Sequence, residues 1–199
     1  MDNTKIIGLI GQKRVGKDTI ATLIKELDPG YKTMALADPI KDIARIMFNF
    51  TEKQLYDAEK DMIDTYWNIK PREFFEQFGT EIMQYDIYKY LPALESVVPQ
   101  RTFWVQSLLS KIKENDKVII TDVRGQHELD EIVKCYPNAK FIRIIRPSIS
   151  SNIRTELHIT QQEPEMIASD YIIETIINDS TINDLRDKIM KITKNNNLL

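Results

Sequence analysis

A three-layer α/β/α sandwich around a parallel sheet of about five strands is the fold this chain predicts. Short unbroken apolar runs alternate with helical stripes. A glycine turn joins the first run to the first stripe. The middle of the chain holds no strand-like run, so it reads as a helical insertion into the α/β frame.

Lys5-Ile6-Ile7-Gly8-Leu9-Ile10 is apolar on both faces, as a buried parallel strand is, and ends at Gly11. Ile20, Leu23, Ile24 and Leu27 then recur at helical spacing until Pro29-Gly30 stops the helix. Residues 31–37 read as a second strand. Asp38 is expected to cap a helix with Pro39 at its first position, and Ile40, Ile43, Ala44, Met47 and Phe48 form its apolar stripe. Thr51 to Leu109 reads as helical, with Trp67, Phe74, Phe75, Phe78, Phe103 and Trp104 expected in its core. Lys117 to Thr121 is the next strand, closed by Asp122, and a helix with Leu129, Ile132 and Val133 follows. Lys140 to Ile145 is another strand, stopped by Arg146-Pro147. Ser148 to Met166 is polar and weakly periodic, the expected lid. A last strand over 171–177, a last helix over 185–192 and a frayed end at Asn195-Asn196-Asn197 complete the reading.

At 199 residues the chain suits a single domain: a core over 1–50 and 115–199, a helical region over 51–114 and a lid at about 147–166. Hydrophobic residues at 42% and charged residues at 29% are ordinary for a soluble globular chain. A net charge of −3 gives no global attraction to nucleic acid or anionic membrane, so a polyanionic ligand must be met by local cations. Cys135 has no partner for an internal disulfide. No basic and apolar leader precedes the first strand, and no apolar run approaches a membrane span of about 18 residues. These features are those expected of a complete cytoplasmic protein.

Gly11-Gln12-Lys13-Arg14-Val15-Gly16-Lys17-Asp18-Thr19 matches G-x-x-x-x-G-K between a strand and a helix, the context a phosphate-binding P-loop requires. Glycines let the backbone turn its N–H groups inward at phosphate oxygens, and the helix start adds its positive dipole end. Lys17 would bridge the β- and γ-phosphates. The residue after such a lysine is usually Ser or Thr; here Asp18 intervenes and Thr19 comes second, a spacing that leans toward nucleoside monophosphate kinases. Asp18 either holds a metal-bound water or favours the first helical turn.

Val118-Ile119-Ile120-Thr121-Asp122 has the form of a Walker-B strand, whose acid can orient Mg²⁺ through water; the plainer alternative is a cap for the next helix. Asp122-Val123-Arg124-Gly125 also spells the D-x-x-G of GTP switches, but no N-K-x-D follows any candidate strand. Arg14, Arg124, Arg146 and Arg154 stand where arginines would clamp a transferring phosphoryl group, whereas Arg143 lies inside its strand. Asp38, Lys41 and Arg45 could hold an acceptor phosphate and its sugar, or serve as caps and surface cations.

With these residues placed, the chain resembles the deoxynucleoside monophosphate kinases of large bacteriophages. The matching blocks are the loop from Gly11 to Thr19, Leu36-Ala37-Asp38-Pro39-Ile40-Lys41, and Arg72 before Gly79-Thr80-Glu81. Further blocks are Arg101 before Trp104-Val105, Asp122-Val123-Arg124 with His127-Glu128, Arg146-Pro147, His158-Ile159-Thr160, and Asn178-Asp179. The resemblance implies transfer from ATP, with Mg²⁺, to deoxynucleoside monophosphates, a helical acceptor region and a lid. By matched position Lys17 and Thr19 serve the donor phosphates, and Asp38, Lys41, Arg72 and Arg101 face the acceptor. Asp122 and Arg124 lie between donor and acceptor, and Asn178 approaches the donor adenosine. Two departures stand out: Ser180 replaces a usual glycine, and the segment from Pro147 to His158 is longer than usual. The expected partners are nucleotides, without nucleic acid or membrane; a homodimer is left open. Animal-type phosphomevalonate kinase and dephospho-coenzyme A kinase are rival enzymes, and a GTP switch is a rival of another class.

Overall fold

The computed structural model describes residues 3–150, 164 and 166–199. In chain order its elements are β1 (Lys5–Ile10), α1 (Lys17–Leu27), β2 (Tyr31–Met34), α2 (Asp38–Phe48) and α3 (Glu52–Tyr56). Then come α4 (Pro71–Glu76), α5 (Ile87–Tyr90), α6 (Phe103–Leu109), β3 (Lys117–Val123), α7 (Gln126–Cys135) and β4 (Lys140–Ile145). The described elements end with α8 (Pro147–Ser150), β5 (Ile172–Ile177) and α9 (Ile182–Asn195). Two compact units result, Met1–Ala35 with Leu108–Leu199, and Leu36–Ser107. The division falls at 36 and 107, against 51 and 114 expected from the sequence, because α2 packs on α3 and α4.

The first unit is built on one sheet, ordered β2-β3-β1-β4-β5 with every pair parallel. The step from β1 to β2 moves one way across this order and the step from β3 to β4 the other. Right-handed crossovers therefore put α1 and α7 on opposite faces. On the α1 face, Ile7, Leu9, Ile119, Ile142, Ile144 and Ile176 pack with Ile20 and Ile24 of α1 and Leu185, Ile189 and Ile192 of α9. The alternate residues Ile6, Ile10, Val118, Ile120 and Phe141 are equally buried, so the sheet is covered on both faces.

Several boundaries differ from the sequence reading. β2 stops at Met34, short of 37. Asp38 is the first helical residue of α2, not its N-cap; Ala37 takes that position in a helical conformation without a side-chain cap. β3 runs through Asp122 to Val123, and its register with β1 jumps from Gly8↔Ile120 to Ile10↔Val123, an extra residue on β3. This β-bulge turns the chain at Asp122, in keeping with the way bulges re-aim side chains beside sites.

The expected fraying at the end is also corrected. α9 continues to Asn195, Leu198 is buried in the core, and its N–H donates to the Thr193 carbonyl. The buried Tyr31 hydroxyl donates to the Leu198 carbonyl, and Lys5 Nζ donates to that of Leu199 at 2.7 Å. The run of asparagines masks an apolar anchor.

The second unit is helical throughout. Its centre is Ala44, Phe50 and Leu55, with Phe48, Ile69, Phe74 and Phe75 against them. The aromatic residues form a chain of ring contacts from Trp67 through Phe48, Phe74 and Phe78 to Trp104 and Phe103. Trp67 is half exposed at its end and Met47 faces solvent, so not every expected core residue is inside. Gln77–Asp86 is wound as a π-helix, and the buried Trp104 indole donates to the Gly79 carbonyl within it at 2.6 Å.

Leu198→Ala should lower unfolding stability by about 2 kcal/mol or more, read from the urea midpoint, because it empties a filled core position. A tail that merely frays would leave that midpoint unchanged.

Candidate active site

β1 ends at the centre of the sheet, with β3 and β4 on either side, where the crossovers part. This is the switch point at which ligands of open α/β sheets bind. The loop that leaves it is held by two glycines with left-handed φ. At Gly11 (φ +155°) a Cβ would lie 2.6 Å from the Ile144 carbonyl oxygen. At Gly16 (φ +104°) it would lie 2.4 Å from Asn178 Nδ2. A side chain at either position meets both backbone strain and an occupied neighbour.

Lys17 opens α1 and folds back over the loop, its Nζ donating to the carbonyls of Gly11 at 2.7 Å and Gln12 at 2.6 Å. Burial first, and then the nearby Arg124 guanidinium, bring its pKa down to about 8; Asp122 and Asp18 pull the other way. The fold thus brings Asp18, Asp122 and Arg124 within electrostatic reach of Lys17. Asp18 and Thr19 are exposed on the first turn of α1, Val15 is buried beneath the loop, and Lys13 and Arg14 are exposed on its outer turn. Arg14 adopts a left-handed φ of 67°. Arg146 is exposed directly after β4.

Asp122 does not cap the next helix. Glu128 does: its Oε2 accepts from the N–H of Arg124 at 2.6 Å and of Gly125 at 3.0 Å. Burial drives the Glu128 carboxyl up to about 7, against those two donors and with Asp122's charge adding to the rise. Glu128 stands in the block Asp122-Val123-Arg124 with His127-Glu128, where the resemblance implies no role for it. The signal available was its place three residues after Gly125, where a glutamate reaches back to the start of a helix.

Asn178 stands just past β5. Its backbone N–H donates to the Ile145 carbonyl at 2.8 Å and its Nδ2 donates to the Val15 carbonyl at 2.8 Å. Its side chain braces the phosphate loop, whereas the resemblance implies an approach to adenosine. Arg143, inside β4, donates to the Ile167 carbonyl and so ties down the chain leading into β5.

The other expected residues belong to the helical unit. Lys41 Nζ lies 3.9 Å from Asp38 and 4.1 Å above the Tyr56 ring. Arg45 is held by Asp42 at 2.7 Å and by Glu52 at 2.8 Å, so its guanidinium ties α2 to α3. Arg72 pairs with both oxygens of Asp61. Arg101 sits at φ 67° and its N–H donates to the Gln84 carbonyl at 3.3 Å. The expected lid lies mostly outside the described residues, as do Arg154 and His158. Among the described residues no three His, Cys, Asp or Glu side chains gather as a metal cluster, and no helix is long and apolar enough to cross a membrane.

The sequence profile of the deoxynucleotide monophosphate kinases matches residues 5–68 and 61–189. This chain belongs to that family. The kinase is a phosphotransferase acting on deoxynucleoside monophosphates. No curated protein sequence matches it. Among solved structures it is similar to a shikimate kinase from Aquifex aeolicus at 14% identity and a TM-score of 0.48, over 97% of this chain and 98% of that one. It is also similar to a gluconokinase from Sinorhizobium meliloti at 9% identity and a TM-score of 0.48, over 98% and 93% of the two chains.

The raised Glu128 carboxyl has a sign that can be tested. The folded kinase binds its proton more tightly than the unfolded chain, so stability from this group is full below 4.5 and is lost as pH rises toward about 7. Glu128→Gln removes that dependence. The Tm of the variant relative to the parent should climb between those pH values and then level off, as read by thermal melts in a pH series. A flat or falling difference would mean the carboxyl is not desolvated.

Proposed function

We propose that the kinase takes the γ-phosphoryl group of ATP held by the loop from Gly11 to Thr19, and passes it in line to a phosphate oxygen of a deoxynucleoside monophosphate. The observation that carries this reading is the convergence of Lys17, Asp18, Asp122 and Arg124 where the glycine loop leaves the sheet. The acceptor oxygen is already anionic at neutral pH, so no strong base is required. Catalysis is then positioning and charge stabilisation.

Lys17 would exchange the loop carbonyls for β- and γ-phosphate oxygens. Its depressed pKa is what an ammonium waiting in a desolvated site has, and arriving phosphates would hold its proton. Arg124 and Arg146 would clamp the transferring group, and Lys13, Arg14 and Val15 would line the donor phosphates. Asp18 and Asp122 fit Mg²⁺ held mainly by phosphate and water: two acids bear on the site, too few to cage a cation alone. The ion would neutralise charge on the donor phosphates. Asn178 would keep the loop open to them from its place on Val15.

On the acceptor side, Asp38, Lys41, Arg45, Arg72 and Arg101 would bind the monophosphate and its sugar. Arg45 is the weakest member of that set, because a phosphate would have to displace two carboxylates from it. This reading includes a lid over residues 147–166, diphosphates destined for DNA synthesis, and a bacteriophage protein at work in the host cytoplasm.

Lys17→Ala should lower transfer at least about 100-fold while leaving the circular dichroism spectrum intact. Near-normal turnover in that variant would overturn the assignment. With Mg-ATP and each of the four dNMPs supplied separately, diphosphate should form from at least one. Product from phosphomevalonate or dephospho-coenzyme A alone, or slow GTP hydrolysis indifferent to any acceptor, would replace this reading.

A further inference from the structure

We propose that Glu128 is the positioning residue for Arg124: its carboxylate fixes the two-residue turn between β3 and α7, and so the place from which the Arg124 side chain acts. The inference rests on the role given to Arg124 above. Arg124 and Gly125 lie between the last ladder residue, Val123, and the first helical residue, Gln126. Their N–H groups have no strand or helix to pair with, and a single oxygen, Glu128 Oε2, takes both. The turn follows immediately on the bulge that carries Asp122, so the same oxygen limits how far either side chain of the acid–arginine pair can drift.

Three other described helix starts carry a side chain that reaches back in the same way. In α3 and α9 the hydroxyls of Thr51 and Thr181 cap, with Gln54 and Asp184 reaching back, and in α4 the exposed Glu73 accepts from the Lys70 N–H at 3.1 Å. The Asp184 carboxyl is held below its usual value by those bonds. Glu128 makes the same kind of bonds yet sits in a desolvated position that pushes its carboxyl up. A carboxylate that gives up stability to hold a turn beside a charged site is placed for function.

A double-mutant cycle tests this with the full-length kinase. Glu128→Ala should lower kcat about 10-fold or more with KM for both substrates changed less than about 3-fold, and Arg124→Ala should lower it further. Added to Arg124→Ala, Glu128→Ala should then change kcat by less than about 2-fold. An equal fall in both backgrounds overturns the proposal. Should Glu128→Ala fail to fold, Glu128→Gln serves: kcat reduced while Tm at pH 8 is held or raised supports positioning, and Tm reduced with kcat unchanged leaves only a cap. Amide hydrogen exchange gives a readout free of any substrate. The Arg124 and Gly125 amides should exchange slowly in the parent and faster in either variant, with the β1 and β3 amides unchanged. Unaltered exchange at those two amides also overturns the proposal. If the parent phosphorylates no dNMP the functional reading fails, and the exchange rates and Tm alone decide for or against the brace.

Discussion

The half-buried ammonium of Lys17, hydrogen-bonded to the carbonyls of Gly11 and Gln12, is the interaction around which the glycine loop at the end of the sheet is arranged. A cation in that place needs a backbone tight enough to offer it oxygens, hence left-handed glycines at both ends of the loop. It also needs acids near enough to keep it charged, hence Asp18 and Asp122. Burial first, and then Arg124, work in the opposite direction and lower its pKa. The result is a site in which two cations, Lys17 and Arg124, stand with two acids, Asp18 and Asp122.

The two units handle charge differently. Around the loop, Lys17 donates to backbone carbonyls, and Asp18, Asp122 and Arg124 lie close enough for it to feel their charges. In the helical unit Arg45 and Arg72 each carry carboxylate partners, and Lys41 lies against Asp38 and an aromatic ring. An acceptor phosphate would compete with protein acids there, which makes a dianion a better competitor than a monoanion.

Much of the sheet unit was legible in the sequence because its signals are local. A G-x-x-x-x-G-K turn between an apolar run and a helical stripe admits few other structures, and β1 and β4 fall at the expected residues. The parts that were not legible depend on distant partners. Asn178 reads as a polar residue after a strand; only the fold brings it to Val15. Glu128 reads as one more glutamate near a helix start, since burial of its carboxyl is set by the packed sheet. The tail reads as frayed because three asparagines outweigh Leu198, whose pocket and Tyr31 partner come from the other end of the chain. Asp122 is legible as the acid at the strand end, but the strand reads as ending at Thr121, two residues short of Val123, since an extra residue in a ladder leaves no periodic trace. The π-helix of the second unit was invisible for a related reason: apolar spacing tuned to 3.6 residues does not announce a wider turn.

The bulge in β3 also says something about which length changes the kinase tolerates. Up to Ile120 the strand is in step with β1, and beyond it the chain runs one residue long. Deleting a residue just after Ile120 would let the ladder close regularly, and the sheet itself would lose little. Thr121 and Asp122 now share the place opposite Leu9; with one residue gone, the local kink and twist that aim Asp122 and the turn bearing Arg124 would go too. A neat strand here is therefore the harmful variant, and the irregular one is the heritable solution. In a set of related sequences aligned at this point, strand length should be held more tightly than strand composition.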